Sequence, residues 1–195
     1  MLLALATVAT AWAAYQSRQW TGEQSQGYSH ATAARIAVNR VSALANRQVQ
    51  IDVATFIQWI DAHEQHRGKL AEFYRARFRD EFEPAFAAWL ATKPLTKAAA
   101  PPTPFAMAQY RLKASGEADR LETAAAADSE QAKNANERAD NYMLALVLFA
   151  SALFFAGIST KLQSVKARTA VLGLGCALFV GTVIWVATFP VQLTT

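Results

Sequence analysis

The chain has 195 residues, of which 53% are hydrophobic and 17% are charged, and its formal net charge is +4. All 15 acidic residues lie within 23–140 and 16 of the 19 basic residues lie within 18–138, so this long stretch is nearly neutral. The excess positive charge belongs to one short segment near the C-terminus, which argues against nucleic acid as a partner. The single cysteine, Cys176, excludes an intrachain disulfide.

The N-terminal segment, MLLALATVATAWAAYQS, carries no charge before Arg18. We predict a transmembrane helix over 1–20, with the Arg18 side chain reaching outward to water. A cleaved signal peptide is the alternative, because AWA before Ala14 resembles a small-residue cleavage site. No basic residue precedes the apolar run, which argues against cleavage. The short inner end of this helix leads us to expect a natural start upstream of Met1.

Residues 22–66 are predicted to form one long helix, since they contain no proline and their apolar residues recur every three or four positions. Gly68 is the expected left-handed cap that ends it. This helix opens a helical domain over 21–140.

A second helix is predicted over 69–92, and Pro84 predicts a kink or restart near Glu83 because proline lacks a backbone donor. Its apolar stripe is aromatic, and we interpret that stripe as core, with a hydrophobic ligand groove as the alternative. The stripe comprises Phe73 or Tyr74, Phe78, Phe82, Phe86 and Trp89.

A proline-rich loop is predicted over 93–105, followed by an alanine-rich third helix over 106–140 that continues into the membrane. The lengths of the three helices are compatible with an antiparallel bundle. The small inward-facing residues of the third helix are predicted to be Ala114, Ala118, Leu121, Ala125, Ala132 and Ala139.

Residues 141–160 and 169–195 contain no charged side chain. A bilayer core about 30 Å thick needs roughly 20 helical residues, so we predict transmembrane helices over 141–160 and 169–190. With the N-terminal segment, this gives an all-α integral membrane protein with three transmembrane helices.

The loop 161–168 holds the only charges after Asp140, and Lys161, Lys166 and Arg168 are all basic. Lys and Arg concentrate in short loops on the cytoplasmic side of a membrane. We therefore predict a cytoplasmic loop and N-terminus, an extracytoplasmic domain and C-terminus, and location in the bacterial inner membrane.

Small residues at four-residue spacing allow membrane helices to approach closely. Gly173, Ala177 and Gly181 form such a face on the last helix, and Ala152 and Ala156 form one on the helix before it. The alternative is that apolar helices simply contain many alanines. Apart from Arg18 at the outer end of the first, the spans contain no Asp, Glu, Lys, Arg or His, which argues against proton-coupled transport.

The segment DAHEQH places His63 and His66 on one helix face, with acidic residues beside them. This spacing is not the HExxH pattern of zinc proteases. We interpret it as a solvated helix end, with a metal site as the alternative. No catalytic or cofactor-binding residue is predicted.

One N-terminal span through AWAAYQSRQW, a helical exterior of about 120 residues and two spans joined by a basic loop make up the whole chain. This layout resembles a group of uncharacterised small bacterial membrane proteins that carry a domain of unknown function. The resemblance implies no site residues.

We expect a non-enzymatic membrane protein that acts by assembly, as an accessory subunit of a membrane complex or as a homo-oligomeric scaffold. Its partners would be the bilayer and other membrane subunits or itself. The alternatives are a homo-oligomeric channel or pore, and an ectodomain that binds a small ligand, lipid or metal.

Overall fold

The structure is a computed structural model that describes residues 2–97 and 99–192. Met1, one residue of the predicted proline-rich loop and the end of the predicted extracytoplasmic C-terminus lie outside the described residues. Within the described part the chain is helical and contains no strand, which confirms the all-α prediction. The elements are α1 (Leu2–Glu64), α2 (Gly68–Arg75), α3 (Glu83–Ala91), a 3-10 turn (Pro104–Ala106), α4 (Lys113–Ser159) and α5 (Val165–Val186).

The chain divides into two compact units. The terminal unit comprises Met1–Thr32 and Ala126–Thr195, and the central unit comprises Ala33–Ala125. Helices α1 and α4 each contribute to both units, whereas α5 belongs to the terminal unit alone.

The core of the central unit is aromatic. Edge-to-face pairs join α1 to α3, with ring centroids 5.3 Å apart for Phe56 and Trp89 and 4.7 Å apart for Trp59 and Phe86. Such pairs contribute about 0.5–1.5 kcal/mol beyond the burial of their area. The predicted aromatic stripe is therefore packed as core from Phe78 onward, while Phe73 is exposed. The buried cluster comprises Phe56, Trp59, Ala62, Ala71, Phe78, Phe82, Phe86 and Trp89.

The predicted helix over 69–92 is two helices, because α2 ends at Arg75 and α3 begins at Glu83. Pro84 lies in the first turn of α3, where its missing donor costs nothing. The turns between the two helices place Phe78 in the aromatic core and bring Arg79 to Asp52 of α1. The sequence predicted a kink or restart near Glu83, and α3 begins at that residue.

The predicted third helix over 106–140 begins later, at Lys113. The preceding residues are held outside the helix because Phe105 and Tyr110 pack on the aromatic core. From Lys113 the helix runs unbroken to Ser159, and its small stripe is buried at all predicted positions except the half-buried Leu121.

The end of α1 is capped by His66 and not by Gly68, which is the first residue of α2. His66 adopts a left-handed backbone with φ of 56°. The Arg67 amide donates to the Ala62 carbonyl at 2.9 Å, and the His66 amide donates to the His63 carbonyl at 3.0 Å. These two bonds define a Schellman motif, which satisfies carbonyls that the helix end leaves free.

In the terminal unit, α1 and α4 are in close contact where Gly27 faces Ala132. A Cβ atom on Gly27 would lie 2.9 Å from the Cβ of Ala132, so only glycine fits there. The small residues of α4 thus serve close packing within this unit. The core includes Ala13, Trp20, Ala135, Ala139, Tyr142, Ala145 and Phe149.

Candidate functional site

Two helices among the described residues are long and apolar enough to cross a membrane, namely α4 and α5. Helix α1 is not one of them, because Gln16 and Arg18 follow its apolar run at once. Only 33% of the most apolar stretch of α4 and 11% of that of α5 is buried. A core helix of a soluble protein would be mostly buried. Bulky side chains left exposed include Leu144, Val147, Phe154, Ile158, Leu174, Val180 and Ile184.

The hairpin of α4 and α5 packs through Gly175. A Cβ atom at this position would lie 3.3 Å from both the Ala152 carbonyl oxygen and the Phe155 Cβ. Ala152 and Ala156, two of the predicted packing residues, are 1% and 5% exposed and lie in this contact. Gly175 was not predicted, because in GLGCALFVG either glycine of the first pair can start a small-residue face.

The predicted face of Gly173, Ala177 and Gly181 points away from this contact. All three residues are exposed, and no atom lies within 4 Å of a Cβ built at either glycine. Beside this face lies an apolar groove of about 420 Å³. Its lining includes Leu148, Leu174, Ala177, Leu178, Gly181 and Trp185.

The first part of α1 packs alongside these two helices. Ala6 and Ala13 are 1% and 0% exposed. The Gln16 side chain, which is fully buried, donates to the Gln192 carbonyl at 3.0 Å and accepts from the Gln192 amide at 2.9 Å. Ser17 donates to the Ala139 carbonyl at 3.1 Å. These bonds fix residues 16–17 of α1 at the level where α4 becomes apolar and the chain leaves α5.

The basic residues lie at the other end of the α4–α5 hairpin. Lys161 lies in the connection, and Lys166 and Arg168 lie in the first turn of α5 and are exposed. Positive side chains at a helix N-terminus oppose the helix dipole. Their placement is therefore not explained by helix stability.

His63 and His66 are both exposed, and they have different structural roles. The His63 ring stacks on Trp59 with centroids 5.0 Å apart, while His66 supplies the capping backbone. Within the described residues no three His, Cys, Asp or Glu side chains are grouped closely enough to hold a metal ion.

A buried ion cluster in the central unit was missed by the sequence analysis. Asp52 is fully buried on α1, and its Oδ2 accepts from Arg79 Nη1 and from the Tyr110 hydroxyl, each at 2.9 Å. Arg79 also pairs with Glu81. The sequence did hint that Asp52 is buried. This residue is one turn before Phe56 and two turns before Trp59, on the helix face that meets the core.

Burial raises the pKa of the Asp52 carboxyl, and the hydrogen bonds from Tyr110 and Arg79 only partly oppose that shift. Burial and the adjacent Asp52 also raise the pKa of Tyr110, so its hydroxyl remains a donor. The Asp52 Oδ1 atom has no partner among the described residues. This cluster ties α1 to the segments that carry Arg79 and Tyr110.

No family model, curated protein or solved structure matches this chain. The resemblance drawn above therefore depends on the order of its segments alone.

Proposed function

We propose that the chain is an integral membrane protein with three transmembrane helices that acts by assembling with other membrane helices. In the most apolar stretches of α4 and α5 only 33% and 11% of the residues are buried, and lipid is the solvent in which such helices are stable. The loop with Lys161, Lys166 and Arg168 would lie on the cytoplasmic side.

The N-terminal part of α1 would be the third span. Its contacts with α4 and α5 support this proposal. Ala6, Ala13 and Gln16 are buried within the terminal unit, although the sequence of α1 is only moderately apolar. A helix that packs along two spans is shielded from lipid on that side. The bonds between Gln16 and Gln192 satisfy polar groups near the boundary.

The observation that carries the assembly proposal is the open face of Gly173, Ala177 and Gly181 beside the apolar groove. In lipid, helices associate through close van der Waals contact, and small residues permit it. Within the hairpin that role belongs to Gly175, so the outer face remains free for a helix from a second subunit.

Ala177→Leu places a bulky side chain on that face. We expect it to weaken association by about 1–3 kcal/mol, the usual cost of overpacking. Ala150→Leu is the matched control, because Ala150 is exposed on α4 and does not line the groove. Native mass spectrometry in mild detergent measures the copies and any foreign subunit in each particle.

The proposal predicts a defined multimer or a stoichiometric foreign subunit for the wild type and Ala150→Leu, and smaller particles for Ala177→Leu. A strictly monomeric wild type in detergent and in lipid nanodiscs would contradict assembly. Equal particles for all three proteins would place the interface elsewhere.

A further inference from the structure

A polar cleft of about 510 Å³ lies between α1 and α4 in the terminal unit, at the level where both helices change from polar to apolar. It combines a cation, two carboxylates and three amide side chains with one large aromatic ring. These polar and aromatic lining residues are Trp20, Glu23, Glu130, Gln131, Asn134, Arg138 and Gln192.

At the inner end of the cleft lie two donor side chains, Trp20 and Arg138, for which the described residues supply no acceptor. Trp20 is only 4% exposed, and its indole Nε1 is buried without a hydrogen-bond partner among the described residues. The Arg138 guanidinium lies over this ring, 4.5 Å from its centroid, and forms no ion pair within the described part of the chain. The unpaired, buried Trp20 donor is energetically unfavourable. Arg138 is exposed, so its side chain can rotate away from the ring, and a ligand oxygen that then accepted from the indole would remove that cost.

The outer end of the cleft offers acceptors. Glu23 accepts one hydrogen bond from Gln131 at 3.0 Å, and Glu130 is exposed and forms no ion pair among the described residues. Glu130 precedes Arg138 by two helical turns, about 12 Å along the axis. Long side chains and a ligand that carries both charges can bridge this separation.

The order of these groups along α4 matches the order of charges in a phospholipid headgroup. Arg138 is nearer than Glu130 to the apolar part of α4, and on α1 Trp20 is nearer than Glu23 to the apolar end. In a zwitterionic phospholipid the phosphate is likewise the inner group, and the ammonium is the outer one.

The face of α4 that lines the cleft continues into an apolar crevice of about 280 Å³. Arg138, Tyr142 and Phe149 lie on that one face at i, i+4 and i+11. The crevice is also lined by Trp12, Val186 and Phe189, and it offers an apolar wall to an acyl chain.

We propose that this cleft binds a zwitterionic phospholipid whose headgroup carries one phosphate and one primary ammonium. This inference rests on the membrane insertion proposed above. The phosphate accepts from Arg138 and the Trp20 indole, and the ammonium donates to Glu23 and Glu130. A quaternary ammonium has no N–H to donate to these two carboxylates. A purely anionic headgroup would face two carboxylates.

Native mass spectrometry of the full chain, released from nanodiscs that contain ethanolamine, choline and glycerol phospholipids in equal amounts, tests the proposal. We expect the ethanolamine lipid to be retained over the other two by at least about tenfold, the scale of a hydrogen bond between charged groups. Equal retention of the three lipids would overturn the proposal. Soluble phosphoethanolamine and inorganic phosphate distinguish a lipid from a free phosphate compound, since neither should displace the bound lipid at equal concentration. Displacement by either would also overturn it.

Three variants assign the groups. Arg138→Gln should abolish selective retention, Glu130→Gln should reduce the preference for the ethanolamine over the glycerol lipid, and Trp20→Phe should weaken retention while keeping the ring. Lys133→Gln and Glu137→Gln are the controls, because both residues are exposed on α4 outside the cleft. Unchanged selectivity in Arg138→Gln and Glu130→Gln would contradict the site. Failure of the chain to enter nanodiscs at all would instead contradict the proposed membrane insertion, so the two failures are distinguishable.

Discussion

Arg79 and Asp52 form an ion pair in the central unit, with 2.9 Å between Nη1 and Oδ2, and the Asp52 side chain is fully buried. The pair joins the turns between α2 and α3 to the middle of α1. The Tyr110 hydroxyl donates to the same oxygen, so one carboxyl organises three segments of the chain.

Asp52→Ala removes the carboxylate that accepts hydrogen bonds from Arg79 and Tyr110, so each of these side chains loses a partner. We expect the free energy of unfolding to fall by about 2–4 kcal/mol, because removing one member of a buried pair leaves uncompensated polar groups. Asp61→Ala is the control on the same helix, since Asp61 is exposed. Denaturant unfolding in detergent measures both. A loss for Asp52→Ala no larger than that of the control would show that the cluster does not hold the central unit together.

The stability that Asp52 contributes depends on pH in the direction opposite to that of a carboxyl group whose pKa is lowered by folding. Burial raises the pKa of Asp52 above its ordinary value of 3.8, so the folded state holds this proton more tightly than the unfolded state. The resulting stabilisation is present below 3.8 and is lost as the pH rises through the raised pKa. The stability of the wild type relative to Asp52→Asn should therefore decrease as the pH increases from about 3 toward neutrality. An increase over the same range would mean that Arg79 lowers the pKa instead.

His66 has a left-handed backbone, which favours glycine and disfavours β-branched residues. We expect His66→Gly to leave stability unchanged or to raise it, and His66→Val to lower it by about 1–2 kcal/mol. His63→Ala is the control, and thermal melts with and without added zinc compare the wild type with the three variants. A zinc-dependent rise in the melting temperature of the wild type that substitution of either histidine abolishes would revive the metal site.

Gly175 and Gly173 provide a paired test of the hairpin between α4 and α5. Gly175→Leu should destabilise the hairpin by about 1–3 kcal/mol, because its side chain would meet α4. Gly173→Leu should leave the hairpin intact, because nothing lies within 4 Å of its Cβ position. Melts in mild detergent at low protein concentration separate this effect from association. If Gly173→Leu destabilised the hairpin more than Gly175→Leu, α5 would have to pack on α4 through the opposite face.

Periodicity predicted the helical class and the apolar helices, because a helix presents one residue type every three or four positions and a span needs only length and low charge. The aromatic stripe was also readable, since Phe78, Phe82, Phe86 and Trp89 share one face. Pro84 indicated the restart at Glu83, but not the end of α2 at Arg75. The turns between these two residues carry Arg79, which pairs with Asp52 across 27 positions, and no local pattern predicts that contact.

The packing sites were predicted only in part. Ala152 and Ala156 lie in the hairpin contact, but the choice between Gly173 and Gly175 depends on how α5 is rotated against α4, and the composition of α5 does not specify that rotation. The cleft at Trp20 and Arg138 joins residues more than 100 positions apart in sequence. No local pattern brings them together.

The most direct test of the membrane proposal is the accessibility of two engineered thiols in intact cells, with Cys176 replaced by alanine. Both Ser164, within the basic loop 161–168, and Thr96, in the central unit, are exposed, so folding does not shield either position. The proposed topology predicts that an impermeant thiol reagent labels Thr96→Cys and leaves Ser164→Cys unlabelled until the cells are permeabilised. Labelling of Ser164→Cys but not Thr96→Cys in intact cells would contradict the proposed orientation, and labelling of neither or both would contradict a membrane lying between them.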